Sequence, residues 1–176
     1  MRSIHLLVAL DAENPSAAFG TIADFTRFAD IAEDIHVVET HPPATPDTPR
    51  DSDWEVNFRR GIMRWNEAET LDPERLRIEF DQTDGDFEEF RGSWQLAPAG
   101  SGSGTEVRFE VTYDFGIESL VGIMDPIAER VIKRAICSVL EGLFGSITVL
   151  EGGEALTDLP GPSPEAAPSL SARGGA

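Results

Sequence analysis

The stretch DPIAERVIKRAICSVLEGLFGSITVL, residues 125–150, decides the fold. Its apolar side chains, Ile127, Ala128, Val131, Ile132, Ala135, Ile136, Val139, Leu140, Leu143, Phe144 and Ile147, recur every three and four residues, the spacing of one helix face. A helix of about 25 residues rises roughly 37 Å, enough to lie along a whole curved sheet. The segments before it supply that sheet, because they read as consecutive hairpin strands. The expected class is α+β, a curved antiparallel sheet of about seven strands wrapped around one long C-terminal helix. Any space between sheet and helix is open to an apolar guest.

Working back toward the N-terminus, strands are expected at Thr105 to Phe115, Phe87 to Leu96, Arg75 to Gln82, Ile62 to Leu71 and Trp54 to Arg59. The residues between them, Asp84-Gly85, Asp72-Pro73, Arg60-Gly61 and the Gly/Ser run Ala99 to Gly104, are turn formers. Four prolines between Pro42 and Asp51 mark a loop. Ile35 to Thr40 is rich in β-branched residues and reads as a strand, as does Ile4 to Leu10. Two short helices separate these two strands. Asn14 and Pro15 open the first as N-cap and first helical residue, and a second turn covers Phe28 to Ala32. Residues 1–151 form one domain in this reading, and Gly152 to Ala176, poor in large apolar residues, form a disordered tail.

Composition excludes several functions. Acidic residues outnumber basic ones 32 to 14, giving a net charge of -18 that repels phosphate backbones. Nucleic acid is not an expected partner. No segment approaches the run of apolar residues needed to span a membrane, and the first ten residues lack a signal-peptide pattern. The single cysteine, Cys137, falls on the apolar helix stripe, where a buried thiol in a reducing cytoplasm fits. His5, His36 and His41 have no metal-ligand spacing, and Gly100 to Gly104 precedes no helix that could bind phosphate. Neither metal nor cofactor is expected.

Strand parity gives the inner face, since alternate side chains point to opposite sides. Phe90, Trp94 and Leu96 face inward on one strand, Val107, Phe109, Val111, Tyr113 and Phe115 on the next, and Trp54, Val56 and Phe58 on an earlier one. Ile62 to Leu71 is the exception. One of its faces carries Met63, Trp65, Glu67, Glu69 and Leu71, and the other Ile62, Arg64, Asn66, Ala68 and Thr70, so neither is cleanly apolar. The larger residues favour the first set as inward. Alternatively the strand twists, and Glu67 and Glu69 face solvent or pair with Arg59, Arg64 or Arg77. Arg64 and Arg91 fall on the outer face, where solvated ion pairs are the default. A strand edge near Trp54 would permit a homodimer.

The strings Asp84-Gly85-Asp86-Phe87, Phe90-Arg91-Gly92-Ser93-Trp94-Gln95-Leu96 and Gly104-Thr105-Glu106-Val107-Arg108-Phe109, followed by the long helix, resemble the polyketide cyclase/dehydrase and coenzyme Q-binding families. Both belong to the START-like, helix-grip superfamily, and the resemblance covers roughly residues 3 to 150. It implies a cavity under the helix that takes a hydrophobic or aromatic molecule. Among such relatives are aromatase/cyclases of antibiotic biosynthesis, whose polyketides are presented by an acyl carrier protein. Trp65, Glu67 and Glu69 match positions that line the cavity of those enzymes. There, the positions of Glu67 and Glu69 more typically hold a small hydroxyl residue and an arginine, so this chain departs from the pattern at both.

Two glutamates at i and i+2 inside an apolar pocket would share a proton, because burial and a neighbouring like charge both oppose ionisation. One carboxyl could then accept the proton between two carbonyls while the other donates, as aldol cyclisation and dehydration require. Glu67 and Glu69 are therefore the catalytic candidates. Phe28, Met63, Trp65, Phe90, Trp94, Phe109 and Tyr113 are the candidate ligand contacts, although buried aromatics also serve as plain core. A non-catalytic quinone or lipid carrier is the alternative. A third function of related proteins, interference with ribosome assembly, would demand a basic face that a charge of -18 does not offer.

Overall fold

The structure, a computed structural model, describes residues 1–11, 14–59 and 61–157. Strand β1 (Arg2–Leu10) leads to helix α1 (Pro15–Ala23), a 3-10 turn (Phe25–Arg27) and helix α2 (Phe28–Ile31). Asn14 caps α1 as its sequence predicts, its side chain accepting from the amides of Ser16 and Ala17 at 3.0 and 3.3 Å. Strands β2 (Ile35–His41), β3 (Arg50–Asn57), β4 (Ile62–Asp72), β5 (Arg77–Gly85), β6 (Glu89–Pro98) and β7 (Thr105–Asp114) follow as an antiparallel meander. Helix α3 (Glu118–Phe144), strand β8 (Ile147–Glu151) and a short helix α4 (Glu154–Thr157) complete the described chain.

The sheet order is β2-β3-β4-β5-β6-β7-β1-β8, so the expected count of about seven strands becomes eight. The additional strand lies in the quoted stretch. The helix ends at Phe144 because Gly145 adopts φ 83°, a left-handed conformation that glycine takes without strain. Beyond it, Ile147, Thr148 and Val149 extend and pair with β1, Leu10 opposite Ile147 and Val8 opposite Val149. The helix also starts earlier than its expected first residue, Asp125, and carries Pro126 inside it. Of the tail expected to be disordered, residues 158–176 lie outside the described residues.

Helix α3 buries Val131, Ile132, Ala135, Ile136, Val139 and Leu140 against the sheet's inner face. Full burial of each large aliphatic side chain contributes about 1.5–3 kcal/mol, which fixes the helix across the sheet. Parity holds along the inner face, where Phe90, Trp94, Leu96, Val107, Phe109, Val111 and Tyr113 are all buried. Gly92 shares that face for a steric reason. A Cβ there would lie 2.1 Å from the Glu110 carbonyl oxygen and 2.6 Å from Phe80 Cζ.

The open strand edge expected near Trp54 is corrected by the topology. Trp54 stands on β3, which is hydrogen-bonded to β2 on one side and β4 on the other, so no open edge exists there. The outermost strands are β2 and β8.

Candidate functional site

An apolar cavity of about 60 Å³ lies between the sheet and α3. Phe28, Trp65, Phe90, Trp94 and Phe109 line it as expected, joined by Ile132 and Ile136 from the helix. The rings fill most of the space between them. Trp54 and Trp65 stack with parallel planes and ring centroids 5.8 Å apart, and the Phe28 centroid lies 6.1 Å from those of both Trp54 and Trp94. Sites that bury a drug-sized ligand hold about 300–1,000 Å³, so a larger guest requires these rings or the helix to move.

Glu67 also lines this cavity. Both glutamates of β4 point inward and are 3% and 0% exposed, which overturns the reading in which they face solvent. The arginines considered as partners stay outside. Arg64 pairs with Glu55 and Arg77 with Glu79, each at 2.9 Å. The cation that reaches inward is Arg50, whose Nε donates to Glu69 Oε2 at 3.2 Å. Ser52 donates to the other Glu69 oxygen, and Trp54 Nε1 donates to Ser52 Oγ at 2.8 Å. Sequence reading missed Arg50 and Ser52 because it started β3 at Trp54. Their parity with Trp54 and Val56 was the available signal, and in the β3–β4 ladder Arg50 stands opposite Glu69 and Ser52 opposite Glu67.

These surroundings set the protonation of Glu67. Burial raises its pKa well above the ordinary carboxylate value, and the Glu69 charge and a hydrogen bond shared with Glu69 act in the same direction. The indole N–H of Trp65, 2.8 Å from Glu67 Oε2, and the more distant Arg50 oppose the rise without cancelling it. Glu67 is thus held toward its protonated form beside Glu69, which is paired to Arg50. It is a carboxyl of raised proton affinity at the wall of an apolar cavity.

Three other expected site residues stand elsewhere. Glu69 is buried behind Glu67 and does not line the cavity. Met63 is half-buried beside the core. Tyr113 is buried, and its hydroxyl donates to the Asp125 carbonyl at 3.3 Å, tying β7 to α3. Burial, followed by the Asp125 charge, raises the Tyr113 pKa. Cys137 is half-buried, its thiol pushed up to about 11 mainly by burial, which leaves it little nucleophilic.

The described residues offer a cation one group, Glu39, His41 and Asp53, whose ligand atoms lie within 4.8 Å of one another on the outer face. The β2–β3 pairing brings them together, with Glu39 opposite Asp53. Histidine spacing along the chain carries no trace of this arrangement. Among the described residues, no helix is long and apolar enough to cross a membrane.

Comparison with solved structures places this architecture among START-like helix-grip proteins. A protein of Thermus thermophilus superposes with a TM-score of 0.68 at 22% identity, over 81% of this chain and 94% of that one. A Streptomyces aromatase/cyclase gives 0.66 at 18% identity, over 82% and 92%. A START superfamily protein of Mycobacterium smegmatis gives 0.63 at 16%, over 81% and 95%. No curated protein matches the sequence. The family model described as polyketide cyclase/dehydrase and lipid transport matches residues 13–139, most of the domain including the cavity and both glutamates, and the chain belongs to that family.

Proposed function

We propose that this protein binds a hydrophobic polyketide in the cavity under α3 and promotes its aldol cyclisation and dehydration, with Glu67 as the acid/base group. The observation that carries this reading is the position of Glu67, a buried carboxyl in an otherwise apolar wall beside a second carboxyl, with its pKa raised by that burial and that neighbour. Titratable groups displaced this far from their ordinary pKa in a cavity are candidates for proton transfer. The pair holds one proton between two carboxyls. When that proton shifts to Glu69, Glu67 is free to take the proton from a carbon between two carbonyls. The carbanion attacks a ketone of the same chain, a carbon–carbon bond forms, and Glu67 returns its proton to the resulting alkoxide. Dehydration follows when the ionised Glu67 takes the remaining hydrogen of that same carbon and hands it to the hydroxyl, which departs as water while the carbon–carbon double bond forms.

Glu69 is a positioning residue in this scheme, since it reaches the guest only through Glu67. The guest is presented by an acyl carrier protein or taken up after release, and no cofactor takes part. The carrier reading, in which the cavity holds a quinone or lipid without altering it, draws on the aromatic walls and on the lipid-transport members of the family.

The test is Glu67→Gln, which keeps the shape and removes the acid. Ring formation from a polyketide mimic should fall by about a hundredfold or more, with binding nearly unchanged and no loss of melting temperature. Unaltered turnover in Glu67→Gln protein contradicts the acid/base role. A wild-type protein that binds the mimic and never cyclises it supports the carrier.

A further inference from the structure

The outer face of the β2–β3 hairpin gathers side chains that the cavity does not use. Glu39 and His41 stand two residues apart on β2 and so project from one face, and the ladder sets Glu39 opposite Asp53 and His41 opposite Asp51. His41 Nε2 lies 2.8 Å from Asp53 Oδ2, and the ligand atoms of Glu39, His41 and Asp53 all fall within 4.8 Å of one another. Asn66 on β4 donates its side-chain amide to the other Asp53 oxygen, which holds that carboxylate with Oδ2 turned to the histidine. The side chains of His41 and Asp53 are 49% and 39% exposed, so an ion can reach both from solvent.

Charge and distance both suit a cation here. Glu39 and Asp53 also line an outer hollow of about 480 Å³ together with Glu55, Asp84 and Asp86, with Arg64 as the one cation among the described lining residues. Five carboxylates facing one guanidinium concentrate cations at this concave surface. A zinc ion takes imidazole nitrogen and carboxylate oxygen at about 2.0–2.2 Å, which puts two ligands of a tetrahedral site about 3.4 Å apart. The His41–Asp53 pair therefore has to open by only about 0.6 Å, and Glu39 to close in by no more than about 1.4 Å, shifts that exposed side chains make freely. The imidazole nitrogen sets this group apart from the carboxylates around it. Calcium and magnesium take oxygen ligands, whereas imidazole suits zinc and its transition-metal neighbours.

We propose that Glu39, His41 and Asp53 bind one zinc ion, with water completing its coordination, and that the ion clips β2 to β3 at the root of the loop joining them. The ligands come from both strands, so binding ties an outermost strand of the sheet to its neighbour. It also braces the inner face of β3, since Asp53 lies between Ser52 and Trp54, and Trp54 donates to Ser52, which donates to Glu69. The ion sits on the opposite side of the sheet from the cavity, and the function proposed above does not depend on it.

The full-length protein, stripped of metal by a chelator that is then removed, is titrated with zinc chloride in a calorimeter and followed by thermal unfolding. One zinc should bind per chain and raise the melting temperature, while magnesium and calcium chloride at the same concentration leave it unchanged. His41→Ala should weaken zinc binding by about tenfold or more, and Asp53→Asn should do likewise. His36→Ala, an exposed position on the same strand, should bind zinc as the wild type does, which separates the site from general histidine binding. Both ligand variants change surface side chains, so without zinc they should melt close to the wild-type protein. Equal zinc affinity in wild-type and His41→Ala protein overturns the site, as does a magnesium or calcium shift that matches the zinc shift. Zinc should also slow amide hydrogen exchange along β2 and β3, and unchanged exchange there with zinc bound overturns the clip.

Discussion

The two faces of strand β4 use charged residues in opposite ways. Outside, Arg64 reaches Glu55 with its side chain 60% exposed, and similar pairs join Arg77 to Glu79 and Arg91 to Glu89, all at 2.9 Å. Water screens such pairs, and each contributes about 0–1 kcal/mol. Inside, Glu67 stands among aromatic rings next to Glu69, and one arginine, Arg50, pairs with Glu69. Removing a carboxylate from water costs several kcal/mol, which contacts from Arg50 and Ser52 offset at Glu69 and a raised proton affinity relieves at Glu67. Outer charges stay hydrated at little cost, whereas inner ones are expensive and shape-specific.

The largest effect that would sharpen this contrast is loss of an inner ring. Trp94→Ala should lower unfolding free energy by about 3–5 kcal/mol in chemical denaturation, because a buried indole leaves a hole that its neighbours cannot close. A loss below 1 kcal/mol would mean that the inner face is far looser than its contacts imply.

Next comes the pH dependence of stability. In the unfolded chain Glu67 titrates near 4.5, and in the folded protein well above that. Below pH 4.5 both states hold the proton and the contribution of burial is fully present. As the pH rises toward the folded value, the unfolded chain releases its proton while the folded protein keeps it. Stability should fall across that window by up to about 1.4 kcal/mol per pH unit. Glu67→Gln should flatten the curve there, and superimposable curves for the two proteins would break the distinction between the faces. Smallest of all, Arg64→Ala on the outer face should change stability by no more than about 0.5 kcal/mol. A change of several kcal/mol would show that outer pairs are structural too.

The helix-grip fold was legible because its two periodicities are strong. The three-and-four repeat of α3 and the alternation of β6 and β7 each mark one buried face, and both faces are buried as read. Boundaries were less legible. Ile147 continues the helical stripe by position, yet the left-handed turn at Gly145 ends the helix before it and the β-branched residues beyond pair with β1. At the site, parity placed Glu67 and Glu69 inward, but their partner came from residues read as loop. Arg50 follows a run of prolines, and only cross-strand register sets it opposite Glu69. Parity likewise cannot tell an inward ring that lines the cavity, such as Trp65, from one whose polar end is engaged elsewhere, as with Tyr113 and the Asp125 carbonyl.

The most direct test is a carbon-13 NMR titration of the glutamate carboxyls in the full-length protein, with Glu67 identified by the resonance missing from Glu67→Gln. At pH 7 the Glu67 carboxyl should resonate as a protonated acid and move only well above the range of the surface glutamates. A Glu67 signal that titrates near 4.5 together with them would contradict the proton-bearing cavity wall on which the proposed chemistry depends.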